Sequence, residues 1–168
     1  MEYGLLLLRI GVGVIFVGHG AQKLFGSFGG GGLQGTAQFF GSIGYRRPRL
    51  MAVVAGLAEL GGGLLLIAGL LTPFASLLIA TVMLNAIATV VFPKGFLGGY
   101  EFELMLLTVV VALAATGPGR LSLDHAIGWE DNITGIAWAS LVLGSAIVIS
   151  IVTTTLGRGG AELDEIPA

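Results

Sequence analysis

Residues 56–69 read GLAELGGGLLLIAG and place a single carboxylate, Glu59, near the middle of an otherwise apolar run. On a helical wheel Gly56, Gly62 and Gly63 fall within about 60° of Glu59, so the acid occupies a notched face that another helix can approach closely. The leucines of the run fall on the other side, facing lipid. A charge at that depth needs a partner, and the rest of the chain is read by asking what surrounds it.

The chain has 168 residues, 55% apolar and 11% charged, against roughly 25% charged in a typical soluble domain. It is read as an all-α integral membrane protein whose apolar stretches leave little sequence for a soluble domain. The net charge of −2 creates no field that would draw nucleic acid. Cysteine is absent, which removes disulfides, thiolate metal sites and iron–sulfur ligation. Any redox chemistry therefore needs a borrowed cofactor, and none is expected to be covalently bound. The N-terminus opens on Glu2 with no small-residue cleavage site after the apolar run, so this run is expected to be a retained span and not a signal peptide.

Taken in order, the spans are expected at about residues 3–25, 50–71, 74–92 and 99–116, with a further apolar run at about 133–156. In the first, Gly13, Phe16, Gly20 and Lys23 lie within about 40° of Arg9, with His19 about 80° away. That side should face protein. Residues 25–35, FGSFGGGGLQG, are turn and loop material; TAQFFGSIG at 36–44 can form a short interfacial helix with Phe39 and Phe40 inward. Thr72-Pro73 marks a tight hairpin. Asn85 sits mid-span and is read as a polar contact between helices. In GPGRLSLD, at 117–124, the glycines stop a helix, and Ser122 or Asp124 is available as a cap. The tail AELDEIPA is acidic and expected to be disordered. Lys23, Arg46, Arg47, Arg49, Lys94 and Arg158 collect on one side if five spans cross, with Arg9 and Arg120 on the other. The positive-inside rule then makes the C-terminus cytoplasmic.

Several of these residues, in order, resemble the DoxX family of small bacterial and archaeal membrane proteins, over about Leu5 to Asp124. The fragments are Arg9 followed by GVIFVGHGAQKLFG, then GTAQFF, GLAELGGGLLLIAGLLT, PKGF, GGYEFEL and GPGRLSLD. The resemblance implies a DoxX-type four-helix bundle at 1–128 plus an appended fifth transmembrane helix at 129–157 and a short acidic tail at 158–168. It also implies a multi-pass place in the cell (inner) membrane and a link to quinone-dependent oxidation, through a subunit named with thiosulfate:quinone oxidoreductase and through membrane complexes that recruit soluble redox enzymes. Expected partners are the lipid bilayer and other redox subunits; oligomerisation is left open. One position departs: where relatives carry a histidine before PKGF, this chain has Val91 and Phe92, so no role can rest on that imidazole.

Two constellations follow. Arg9 lies about 8 Å from the centre of its span by helix rise, and antiparallel packing of consecutive helices is expected to pair it with Glu59, as an ion pair that fixes register, a polar pocket for a head group, or both. His19, Gln22 and Lys23 end the first span where Tyr100, Glu101 and Glu103 begin the fourth, and Phe16, Phe25 and Phe102 can supply flat apolar surface for a ring. Together they could hold a quinone, whose carbonyls need one or two donors in an apolar slot. His19 and His125 lie near opposite faces, so a bis-histidine haem is not expected, and no metal site is. The leading function is a subunit supporting quinone or quinol chemistry or anchoring redox proteins; the alternatives are a non-enzymatic scaffold and a small-solute carrier.

Overall fold

Five helices are long and apolar enough to cross a membrane, Glu2–Phe25, Pro48–Ala68, Thr72–Lys94, Phe96–Thr116 and Ile136–Thr155, in a computed structural model that describes residues 2–159. In finer detail the α-helices are α1 (Glu2–Phe25), α2 (Gly32–Ser42), α3 (Pro48–Ala68), α4 (Thr72–Ala86), α5 (Glu101–Thr116), α6 (Leu123–Ala126) and α7 (Ile136–Thr155). A π-helical turn, Ile87–Val91, and a 3-10 turn, Phe92–Lys94, prolong α4. No strand occurs among the described residues, and the protein is an all-α, multi-pass membrane protein. The acidic segment of the tail, from residue 160 onward, lies outside the described residues.

Helix boundaries follow local chemistry. Pro48 and Pro73 stand in the first turns of α3 and α4, where a missing N–H is harmless. Gly69 ends α3 in the left-handed region at φ 63°, the conformation a helix C-cap needs and glycine adopts without strain. The hairpin to α4 is as tight as Thr72-Pro73 implies.

In lipid the helices gain little from burying leucine, so association depends on close packing of small residues. The contact of α1 with the antiparallel α3 is built that way. A Cβ on Gly13 would come within 2.7 Å of the Gly63 carbonyl oxygen, and one on Gly20 within 2.5 Å of the Leu60 nitrogen. The buried face of α1 carries Arg9, Gly13, Phe16 and Gly20, the face the wheel selects. On α3, Gly56, Glu59, Gly62 and Gly63 are buried while Leu57 and Leu64 are 56% and 53% exposed, on the side that meets lipid. The other half of the bundle centres on α4, which packs against α3, α5 and α7.

The two ends of the bundle differ. One end gathers the start of α1, the α3–α4 hairpin and the 117–135 connector, as the Arg120 N–H donating to Glu2 and the Asp124 N–H donating to Gly69 show. At the other end the α2–α3 loop meets the end of α7 through an antiparallel bridge between Tyr45 and Arg158. Lys23, the arginines at 46, 47 and 49, Lys94 and Arg158 all belong to this second end, as the sequence predicts.

Candidate functional site

The register of α1 on α3 decides which charges meet. Gly20 lies against Leu60 and Gly13 against Gly63, which brings Lys23, one turn beyond Gly20, beside Glu59. Its Nζ lies 2.7 Å from Oε1 and 2.6 Å from Oε2 of Glu59. The carboxylate is buried and the lysine side chain is 26% exposed, so the cation reaches in from the rim. The expected pairing of Glu59 with Arg9 is not formed. Arg9 lies ten to eleven residues, or about 16 Å, further along α1 than the level of Glu59. The two share a face but not a depth.

Arg9 instead serves the opposite end. It is fully buried, and its Nη2 donates to the Leu121 carbonyl oxygen. It fits there because Gly69 has no side chain: a Cβ at that position would lie 1.5 Å from Nη1. Beside it Asp124, also fully buried, accepts from the Leu71 and Thr72 N–H groups at 2.8 and 3.1 Å and from the Thr72 hydroxyl at 2.9 Å. Asp124 therefore caps α4, a helix more than fifty residues away in sequence, while Ser122 caps its own short helix, α6, by accepting from the His125 N–H at 3.1 Å. Arg9 and Asp124 together fasten the 117–135 connector over the hairpin. Local sequence signals a cap there but not which helix it caps.

Next to the Lys23–Glu59 pair lies a cavity of about 520 Å³. Its walls come from α1, α2, α3, α4 and α5, with Ile149 and Thr153 of α7 closing one side. They are mainly apolar, and Phe16, Phe39, Phe40, Phe74 and Phe102 supply flat aromatic surface. Four ionisable side chains besides Tyr45 line it: His19, Lys23, Glu59 and Glu103. At the edge near α7, Asn85 accepts from Thr153 at 2.7 Å and from Tyr45 at 3.4 Å, and donates to the Thr81 carbonyl oxygen at 2.9 Å. Asn85 is thus an interhelical contact that also joins the cavity wall.

The predicted head-group residues divide. His19 and Lys23 line the cavity; Gln22 turns towards the Phe28 carbonyl oxygen, 3.4 Å away, and Tyr100 and Glu101 stay outside. Tyr100 packs on Phe92 and Phe96, with centroids 5.8 and 5.5 Å apart. The cause is the backbone before α5. Leu97 is extended (ψ 124°) and Gly98 left-handed (φ 72°), so the helix starts late and turns Phe102, Glu103 and Leu106 to the cavity in place of Tyr100 and Glu101. Of these Leu106 is the addition to the expected set, and its spacing from Glu103 along one face was the available signal. At the other end of the molecule His125 contacts Glu130. Among the described residues no three side chains of metal-binding type converge.

Five apolar helices with an aromatic-lined cavity among them and a buried ion pair at its edge define a small multi-pass membrane protein. The chain belongs to the DoxX family: the family model DoxX matches residues 4–91. It is 43% identical over 123 residues to "Putative oxidoreductase CatD" of Bacillus subtilis (strain 168), covering 73% of this chain and 86% of that protein. Two proteins of Escherichia coli (strain K12) are also similar. These are the inner membrane protein YphA, 30% identical over 131 residues (72% of this chain, 88% of that protein), and the inner membrane protein YqjF, 29% over 129 residues (74% and 92%). No solved structure matches the chain.

Proposed function

We propose that the cavity binds the ring of a quinone or quinol and that the protein serves quinone-linked redox chemistry as a membrane subunit, alongside a partner that carries the electrons. The observation that carries this reading is the cavity itself. It is about 520 Å³ in volume, apolar and aromatic, with His19 and the Lys23–Glu59 pair in its wall. Lipid-soluble rings need such a chamber, and their oxygens need a few convergent polar groups. Lys23 has a third N–H beyond the two directed at Glu59, and an imidazole can donate or accept. The oxidoreductase in the name of the Bacillus relative favours the same class of chemistry.

The same reading places the protein in the inner membrane, in keeping with the names of the two Escherichia relatives. The Lys23 end faces the cytoplasm by the positive-inside rule, so a soluble redox partner would approach there. The deciding experiment is titration of a short-tailed benzoquinone into the protein in nanodiscs. Saturable binding is expected in wild type, weakened about tenfold in His19→Leu by loss of a hydrogen bond, and abolished in Ala58→Trp, which fills the chamber. No saturable binding in wild type would leave a scaffold that gathers redox proteins at the membrane.

A further inference from the structure

Glu103 lines the cavity from α5, and its Oε2 is buried without a hydrogen-bond partner. A carboxylate oxygen taken out of water without a donor is costly. The ordinary reason for an acid in a first helical turn, favourable interaction with the helix dipole, does not require burial, and Glu101, exposed in the same turn, already serves it. Thr81, on α4 and also in the cavity lining, likewise has a buried hydroxyl with no partner. By contrast Glu59 has both oxygens satisfied by Lys23. The chamber therefore holds one satisfied carboxylate and one whose buried oxygen, Oε2 of Glu103, still lacks a donor.

We infer that Glu103 makes this chamber selective for the reduced, hydroxyl-bearing form of its ring ligand over the oxidised, carbonyl-only form. The inference rests on the quinone or quinol reading above. An ionised carboxylate can only accept. A hydroquinone O–H gives it the donor it lacks, whereas a quinone carbonyl would set one acceptor against another. Rotation about the last side-chain torsion of glutamate is soft, so either oxygen of Glu103 can turn to meet the ring. His19 and Thr81, which can both donate and accept, also line the cavity and are available to the ring's other oxygen. Binding alone produces the selectivity; no bond to the ring is made or broken.

Three probes separate the possibilities when titrated anaerobically into the protein in nanodiscs: a short-tailed benzoquinone, its hydroquinone, and the hydroquinone dimethyl ether, which keeps the shape but has no donor. The hydroquinone is expected to bind at least about tenfold tighter than the other two, the equivalent of roughly 1.4 kcal/mol. Glu103→Leu should remove that preference by weakening hydroquinone binding about tenfold, and a melting temperature close to that of wild type shows that the variant is folded. Glu103→Gln, whose amide both donates and accepts, should bring quinone and hydroquinone to similar affinity. Equal affinity for quinone and hydroquinone in wild type, or a preference that survives in Glu103→Leu, overturns the selectivity and leaves the quinone chamber standing. Tighter quinone than hydroquinone binding in wild type also overturns it, because Glu103 would then be acting as a donor. Failure of every probe to bind removes the chamber reading and this inference with it.

Discussion

Lys23 closes on Glu59 from the rim of the bundle, its Nζ 2.7 and 2.6 Å from the two carboxylate oxygens. The residues are 36 positions apart and are brought together by glycine contacts between α1 and α3. The pair supplies the only partner Glu59 has among the described residues and forms one edge of the cavity.

Breaking it from one side should be severe. Lys23→Met is expected to cost about 3–5 kcal/mol, because it strands the buried Glu59 carboxylate; Glu59→Gln, which leaves a part-exposed lysine able to turn to the rim, should cost less, and the double variant should cost less than the sum. Arg9→Met combined with Glu59→Gln should instead be additive, since the two sites are about 16 Å apart by helix rise. Thermal unfolding in detergent compares wild type with the three single and two double variants, and additivity of the Lys23 and Glu59 variants would contradict the pairing.

The seat of Arg9 gives a sharp contrast between two glycines of one helix run. Gly69→Ala places a Cβ 1.5 Å from Arg9 Nη1 at φ +63° and should destabilise by at least about 2 kcal/mol through clash and backbone strain. Gly61→Ala, with nothing within 4 Å, should be neutral or gain up to about 1 kcal/mol from helix propensity. Comparable melting temperatures for the two variants would mean that Arg9 does not occupy this seat.

Orientation is open to cysteine labelling, since the chain has no cysteine of its own. Asp131→Cys, in the connector at the Arg9 end, should react with an impermeant maleimide in intact cells. Ser42→Cys, at the Lys23 end, should react only after lysis. The reverse pattern would put the basic end outside.

Asn85 ties the cavity wall to α7 through Thr153 and Tyr45. Asn85→Leu is expected to cost about 1 kcal/mol, in line with about 0.6 kcal/mol for a typical interhelical hydrogen bond. It should also speed hydrogen exchange at the Arg46 and Gly159 amides, which bond across the bridge between the α2–α3 loop and the end of α7. Unchanged exchange there would show that the bridge holds without Asn85.

The membrane class, the five apolar helices, the protein-facing sides of α1 and α3 and the collection of basic residues at one end were all legible in the sequence. Hydropathy and helical angle are properties of single segments, and composition records them. Depth is not such a property. Arg9, Lys23 and Glu59 lie on facing sides of two helices, and only the steric fit of Gly13 and Gly20 against α3 determines that Glu59 meets Lys23 and not Arg9. The same holds at α5, where the non-helical backbone at Leu97 and Gly98 shifts the start of the helix. With about 100° of rotation per residue, Tyr100 and Glu101 are left outside while Phe102 and Glu103 keep their place at the cavity. Asp124 is the long-range case: its local sequence marks a cap, but the N–H groups it satisfies belong to Leu71 and Thr72. Chain folding alone brings them within hydrogen-bond reach.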